Sequence, residues 1–333
     1  MRKTPLPFPK ASNGPQQLRV ADIAPQLEQY IITCQIANHS AETNAVRRII
    51  VSKLEWFCRR QGFAFVSLPE LRHFFAYLLN GHEDGDGRWG NDRFTKRLRP
   101  STVQNYHKHL RRFFAWLVEE EVLDASPMEK VKPVIARPDQ IQPFTREQVS
   151  ALILAAERSR DRRRNVAIVT LLFDTGLRAS ELCGLRMRDL DLDQQHLRVL
   201  GKGNKYRTIP FGKTARKSLW QYLREEHREA DDPLFTSSRG TSAGDPMTRG
   251  GLLQLVERLG KAAGISVTRC SPHTFRHTFA VEFLRRGGNT FSLKIILGHT
   301  SLHMTNKYVS LAEADIQQQH RQFSPADSLE RSR

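Results

Sequence analysis

Residues 273–288 read HTFRHTFAVEFLRRGG, a stretch in which charged side chains open an otherwise apolar helix. His273, Arg276 and His277 fall within about one turn, and residues 279–284 supply apolar side chains typical of a buried helix. Charged groups are rarely buried without partners, because removing a charge from water is costly. The stretch therefore predicts a core helix whose first turns carry a polar cluster with a specific task.

The two histidines alone permit a metal site. His273 and His277 are four residues apart and share a helix face, as zinc ligands on a helix do. No glutamate follows His273, and no cysteine pair or acidic cluster nearby offers further ligands. We favour the alternative, in which His273 and Arg276 together face one anion, and we expect neither metal nor cofactor.

Composition favours a polyanionic partner. The 333 residues include 52 Lys and Arg against 35 Asp and Glu, which gives a net charge of +17. Such a surplus suits nucleic acid, with an anionic membrane surface as the alternative. The basic, proline-rich start lacks the apolar core of a signal peptide, and no 18-residue apolar run follows. The four scattered cysteines predict no disulfide framework. We expect a soluble, cytoplasmic protein without a membrane partner.

The length favours two domains, and a proline-rich segment separates them. Residues 125–143 contain four prolines and no sustained periodicity, which predicts an extended linker. The sequence then divides into a helical domain at 21–124 and a second, mostly helical domain at 144–323. Flexible segments are expected at 1–20 and 324–333.

Two helices of the first domain combine an apolar face with basic residues elsewhere. Residues 45–60 place apolar side chains at helical spacing, namely Val46, Ile49, Ile50, Leu54 and Phe57. Residues 101–122 repeat the pattern behind a predicted N-cap at Ser101, with Val103, Tyr106, Leu110, Phe113 and Leu117. Weaker helices are expected near 21–37 and 68–80.

A solvated surface is the ordinary explanation of basic helix faces, but their repetition favours contact with DNA. The residues that we expect at the DNA are Thr43, Arg47, Ser101, Gln104 and Lys108.

The second domain begins with a predicted capping box, Thr145 to Gln148, ahead of an amphipathic helix. A buried helix follows at 165–177 and is expected to end at Gly176. Residues 195–211 predict two short strands around a GKGN turn, and therefore a β-hairpin. The chain is thus mainly α with a small β-sheet.

Three further stretches carry chemical side chains, and each has an ordinary explanation alone. TGLRASEL offers Arg178 and Glu181, GKGN offers Lys202, and LGHTSLHMTNKY offers His299 and Tyr308. Together with the 273–277 cluster they suit phosphodiester transesterification without a metal. Arginine forks bind phosphate oxygens, a tyrosine hydroxyl attacks once a base accepts its proton, and lysine protonates the leaving hydroxyl.

Four blocks in this order resemble the tyrosine recombinases, the phage integrase family. They are LLFDTGLRASELCGL, GKGNKYRTIP, SPHTFRHTFAVEFLRRG and LGHTSLHMTNKYV. The resemblance extends over about residues 21 to 320. It implies a SAM-like helical core-binding domain ahead of an α+β catalytic domain, in the two-domain type without an arm-binding domain.

The resemblance also implies roles for single residues. Arg178 and Arg276 would clamp the scissile phosphate, and Tyr308 would form a 3′-phosphotyrosine. The other implied roles are proton transfer by His273, general acid catalysis by Lys202, a phosphate hydrogen bond from His299, and support by Glu181 and His277. Lys205 is the alternative to Lys202, but the G-K-G setting favours Lys202.

The implied partner is duplex DNA with specific recombination sites, bound by a tetramer that exchanges strands through a Holliday junction, in association with the nucleoid. Residues 311–323 would form a helix that docks either on a neighbouring protomer or on its own domain. Integration or excision of a mobile element and resolution of DNA multimers both fit. Two alternatives stay open, a type IB-like topoisomerase and a non-catalytic DNA-binding regulator.

Overall fold

The computed structural model describes residues 17–82, 85–135, 142–201, 206–224, 227–237 and 244–299, together with residues 301, 305, 308, 320, 324 and 326. The chain divides into two compact units, Met1–Asp139 and Gln140–Arg333. The division lies within the segment predicted as a linker. Among the described helices, none is both long and apolar enough to cross a membrane.

The described part of the first unit contains four α-helices and a small sheet. The helices are α1 (Ile23–Ile36), α2 (Ala41–Arg60), α3 (Leu68–Leu79) and α4 (Pro100–Glu119). Strands β1 (Leu18–Arg19) and β2 (Phe65–Val66) pair antiparallel, a sheet that the sequence did not predict. Leu18 is buried in the core, so the folded chain begins before residue 21.

The buried face of α2 is turned away from the predicted one. Val46 and Ile49 are 36% and 56% exposed, so the prediction that they face the core is wrong. Arg47 is buried instead, because its guanidinium donates to His39 Nδ1 at 2.7 Å and to Asn44 Oδ1 at 3.3 Å. Polar side chains that hydrogen-bond to one another thus occupy the inward face near the start of this helix, although Nε of Arg47 has no partner among the described residues.

Helix α4 begins two residues earlier than predicted. Its N-cap is Arg99 and its first residue is Pro100, so Ser101 lies in the first turn rather than at the cap. Proline suits this position because it needs no amide donor there. The buried face includes His107, whose Nε2 lies 2.7 Å from the carbonyl of Val131. The start of the predicted linker is thereby packed on the first unit.

The second unit is mostly helical in its described part, with a three-stranded antiparallel sheet. Its helices are α5 (Arg146–Glu157), α6 (Arg162–Thr175), α7 (Ala179–Gly184), α8 (Lys213–Leu223), α9 (Arg249–Ala262), α10 (Pro272–Arg285) and α11 (Thr290–Leu297). The strands are β3 (Leu190–Asp191), β4 (His196–Leu200) and β5 (Tyr206–Pro210), in the order β3-β4-β5.

Three predictions for this unit are confirmed. Thr145 and Gln148 exchange capping hydrogen bonds at the start of α5. Gly176 ends α6 in a left-handed conformation. Strands β4 and β5 form the predicted hairpin, with Val199 opposite Arg207, and residues 202–205 at its tip lie outside the described residues.

Helix α10 is surrounded by the second unit. Eight consecutive residues, 274–281, are buried. Ser271 caps the helix by accepting from the Thr274 amide at 3.2 Å, and Thr278 Oγ1 accepts from the Phe144 amide at 2.9 Å. Because its hydroxyl groups are satisfied, the helix tolerates burial on nearly every side. It therefore holds the polar cluster of its first turns in fixed positions.

Candidate active site

Three successive carbonyl groups at the end of α11 each accept a hydrogen bond from a different arginine. The pairs are Arg207 Nε with Ile296 O at 2.9 Å, Arg276 Nη2 with Leu297 O at 2.7 Å, and Arg178 Nη2 with Gly298 O at 3.1 Å. The last carbonyls of a helix lack intrahelical donors and carry the negative end of its dipole. The end of α11 thus gathers three cations from three other elements.

Arg276 is held by a second helix end as well. Its Nη1 donates to the carbonyl of Gly176, the cap of α6, at 2.9 Å, and its side chain is almost fully buried. Gly176 has φ of +61°, and a Cβ there would come within 2.5 Å of Phe279 Cδ1, so the position requires glycine. Burial, with the charge of Arg178, lowers the pKa of Arg276 to about 10. The guanidinium still carries its charge at neutral pH.

Glu181 lies between two arginines at the start of α7. Oε1 accepts from Arg178 Nη1 at 2.7 Å and from Arg207 Nη1 at 3.0 Å. Oε2 accepts from the Arg178 amide at 2.9 Å and from Arg207 Nη2 at 3.0 Å. Burial acts to raise the pKa of Glu181, but the hydrogen bonds from the two arginines outweigh it and hold the pKa below its ordinary value. The carboxylate is charged and supplied with four donors.

Tyr308 contacts two imidazole rings and is 1% exposed. Ring centroids are 5.1 Å apart for Tyr308 and His277, and 6.2 Å for Tyr308 and His299, with the latter two rings nearly parallel. Burial raises the pKa of Tyr308, although the charges of Arg276 and Arg178 act to lower it. The hydroxyl is therefore protonated at neutral pH, and its use as a nucleophile requires a proton acceptor.

The histidines are linked into the same cluster. Nε2 of exposed His273 lies 3.2 Å from Nε2 of buried His277, and His299 Nδ1 lies 2.9 Å from Thr305 Oγ1. Imidazoles next to a tyrosine can accept its proton near neutral pH. Within the described residues, no cluster of three or more His, Cys, Asp or Glu is placed to hold a metal ion.

The second unit brings together most of the site residues that the sequence predicted. They are Arg178, Glu181, His273, Arg276, His277, His299 and Tyr308. Lys202, like the predicted helix at 311–323 apart from His320, lies outside the described residues. Arg207 was not among the predicted site residues. A signal was present, since Arg207 shares a strand face with buried Ile209, a position where a cation needs a partner.

The predicted DNA contacts lie in the first unit. Ser101, Gln104 and Lys108 are all exposed along α4, at a spacing that keeps them near one side of the helix. Thr43 is half-buried in the first turn of α2, where its amide donates to Ser40 Oγ. Arg47 is buried, so its side chain does not reach the surface.

Comparison with known proteins relates this arrangement to one family. Residues 142–315 match the family described as "Phage integrase family". Tyrosine recombinase XerD of Vibrio cholerae is 30% identical over 310 residues, which cover 90% of this chain and 96% of that protein. Tyrosine recombinase XerC of Corynebacterium efficiens is 38% identical over 264 residues, 78% of each chain.

Solved structures share the fold. The Tn1549 transposon integrase in complex with transposon right end DNA matches with a TM-score of 0.66 at 21% identity, covering 87% of this chain and 94% of that one.

Proposed function

Because this chain belongs to the phage integrase family and is a tyrosine recombinase, we propose that it cuts and rejoins duplex DNA at specific sites through a covalent bond to Tyr308. The observation that carries this proposal is the placement of Tyr308 near two arginines and beside two imidazoles. A phosphodiester is the anion that such a set suits, since two guanidinium groups can hold its non-bridging oxygens.

The reaction exchanges one phosphate ester for another. The Tyr308 oxygen bonds to phosphorus, the bond from phosphorus to the 5′-oxygen breaks, and a 3′-phosphotyrosine remains. The tyrosine proton passes to the histidine cluster, with His273 as the acceptor by family resemblance. Arg178 and Arg276 stabilise the charge that develops on the phosphate oxygens. Lys202, by the same resemblance, gives a proton to the leaving 5′-oxygen.

The second half of the reaction runs this exchange backwards with a different strand. A 5′-hydroxyl from a partner duplex attacks the phosphotyrosine, so the bond energy is conserved without ATP. Four protomers on two sites would exchange strands in pairs through a Holliday junction. Residues 311–323 would dock either on a neighbouring protomer or on their own domain, and the protein would act on nucleoid DNA in the cytoplasm. Integration or excision of a mobile element and resolution of DNA multimers are the two roles that fit.

The relatives reported above are named recombinases, which favours this activity over a topoisomerase or a regulator. A topoisomerase would reseal the original strand and relax supercoiled plasmid without joining two sites. A DNA-binding regulator would tolerate damage to the cluster, whereas Arg178, Arg276, His299 and Tyr308 are all present.

The test traps the covalent intermediate. Duplexes selected from a random pool for binding are resynthesised with a nick beside each candidate position, so that the cleaved fragment leaves and the reaction stops. Wild type should give a protein–DNA adduct on a denaturing gel, and peptide mapping should place it on Tyr308. Tyr308→Phe should give none. An adduct that survives Tyr308→Phe overturns the assignment of the nucleophile.

Two controls frame the result. Tyr30→Phe changes another buried tyrosine beside a buried arginine. Because Tyr30 lies outside the candidate active site, the rate of adduct formation should stay within about threefold of wild type. EDTA should not alter the rate, and loss of cleavage in EDTA would revive the metal interpretation of His273 and His277. A two-site plasmid then separates recombination from simple relaxation.

A further inference from the structure

The end of α11 holds three arginines, and two of them are the predicted phosphate ligands. Successive carbonyls, those of residues 296, 297 and 298, accept from Arg207, Arg276 and Arg178 respectively. Neighbouring carbonyls of one helix end move together, so a shift that frees one arginine also displaces the anchors of the other two. Arg207 is therefore coupled to both candidate ligands although it is neither.

Arg207 and Arg178 also donate to the same carboxylate, that of Glu181. The Arg207 fork meets both oxygens of Glu181 at 3.0 Å, the bidentate geometry that lysine cannot reproduce. The side chain of Arg207 is 13% exposed, whereas that of Arg178 is 36% exposed. Arg207 neutralises Glu181 from the buried side and leaves Arg178 with an edge toward solvent.

Gly298 shows how closely Arg207 is fitted. A Cβ at Gly298 would lie 2.9 Å from Arg207 Cζ and 3.0 Å from its Nη1, and the φ of +63° already favours glycine. The backbone that leads from α11 to His299 can pass here only because it carries no side chain. The position of His299 thus depends on the same contact.

We propose that Arg207 is a positioning residue for the cleavage reaction, one that fixes Glu181 and the end of α11 so that Arg178, Arg276 and His299 face the phosphate. This inference rests on the proposed function. It assigns a task to a residue near the tip of the β4–β5 hairpin, where Arg207 pairs with Val199. In this role Arg207 acts through Glu181 and the end of α11 rather than by binding the phosphate itself.

The experiment compares Arg207→Met and Arg207→Lys with a matched control, Arg216→Met. Arg216 likewise donates Nε to a carbonyl, that of Leu192 at 2.8 Å, and a second nitrogen to a carboxylate, that of Asp193 at 3.5 Å, but at an exposed site. Adduct formation on nicked duplex is measured at saturating protein, and the Kd for the same duplex is measured separately.

Arg207→Met should slow adduct formation about 100-fold, the order expected when oriented cations lose their placement, with Kd within about threefold of wild type. Arg207→Lys should remain at least about tenfold slow, because an ammonium cannot bridge both oxygens of Glu181. Arg216→Met should react like wild type.

A pH profile separates positioning from a merely structural role. Without Arg207 the pKa of Glu181 rises, so Arg207→Met should lose more rate than wild type as pH falls from 7 to 5. The double variant Arg207→Met/Glu181→Gln should not show this extra loss. If Arg207→Met fails to fold by thermal melting, Arg207→Lys decides with the same measurements.

The inference is overturned if Arg207→Met, or the folded Arg207→Lys, forms the adduct as fast as Arg216→Met. It is also overturned if either variant weakens DNA binding but forms the adduct at the wild-type rate once saturated. Absence of an adduct with wild type instead overturns the proposed function.

Discussion

Tyr30 with Arg47 in the first unit and Tyr308 with Arg276 in the second are two buried pairs of the same residue types. All four side chains are less than 9% exposed. In both pairs burial raises the pKa of the tyrosine, to about 12 for Tyr30, while the nearby arginine charge acts to lower it. Burial, charge and proximity are thus common to both pairs.

The surroundings of the two pairs differ. Tyr30 has ring contacts with Phe113 and Trp116 at 5.5 and 5.3 Å, and Arg47 hydrogen-bonds to the side chains of His39 and Asn44, both within eight residues of it. This pair lies among aromatic side chains of the core, and the buried Nε of Arg47 has no hydrogen-bond partner among the described residues.

Tyr308 has a second cation, Arg178, and two imidazole rings beside it. Arg276 is fixed by backbone carbonyls at the ends of two other helices. A buried Arg–Tyr pair therefore does not indicate catalysis by itself. The second cation, the nearby proton acceptors and the anchors distant in sequence make the difference.

The test with the largest expected effect replaces the arginine of each pair, Arg276 or Arg47, with lysine. Arg276→Lys should slow adduct formation on nicked duplex by about 10²- to 10³-fold, because one ammonium cannot keep both carbonyl anchors and also bind phosphate as a fork does. Arg47→Lys should change the rate at saturating protein by less than about threefold. Single-turnover assays with melting curves measure both, and equal losses in the two folded variants would contradict the distinction.

Local sequence was enough to predict much of the fold and the members of the site. Capping residues and apolar spacing gave α5 and the end of α6, and the GKGN turn between alternating residues gave the hairpin. Arg276, His273 and His277 were predicted because they interrupt an apolar helix, where a buried charge needs a partner.

The rest depends on contacts that a local pattern does not contain. Arg276 and the carbonyl of Gly176 are 100 residues apart, and Arg207 and the carbonyl of Ile296 are 89 apart. Arg47 was predicted at the DNA because helical periodicity assumes that the inward face of a helix is apolar. That assumption fails on α2, where polar side chains on the inward face hydrogen-bond to one another. Arg207 was missed because a lone arginine in a short strand is ordinarily solvated.

A second prediction concerns the carboxylate of Glu181 in the candidate site. Among the described ion pairs, none joins a carboxylate to Arg47. The folded pKa of Glu181 is below its ordinary value of 4.5, so its stabilisation is present above that pH and is lost as pH falls through the folded pKa. Glu181→Gln should reduce the free energy of unfolding by about 2 kcal/mol at pH 7.

Urea unfolding at pH 7 and pH 3.5 measures the effect, and the difference between Glu181→Gln and wild type should shrink at pH 3.5. Asp193→Asn, in an exposed ion pair with Arg216, should change stability by less than about 0.5 kcal/mol at either pH. A Glu181→Gln difference that is independent of pH would show that the carboxylate charge does not stabilise the fold.

The smallest expected effect is on DNA binding, and it compares a buried with an exposed cation of the first unit. Lys108 is exposed on α4 and Arg47 lies on the buried face of α2, although both were predicted at the DNA. If Lys108 contacts a phosphate, Lys108→Gln should weaken binding about three- to tenfold at moderate salt and reduce the slope of log K against log salt by about 0.9. Arg47→Gln should leave that slope unchanged, because a side chain inside the core releases no counterion from DNA.

Fluorescence anisotropy over a salt series measures both slopes. A reduced slope for Arg47→Gln with none for Lys108→Gln would mean that α2 opens on binding and that the buried pair of the first unit is itself part of the DNA contact.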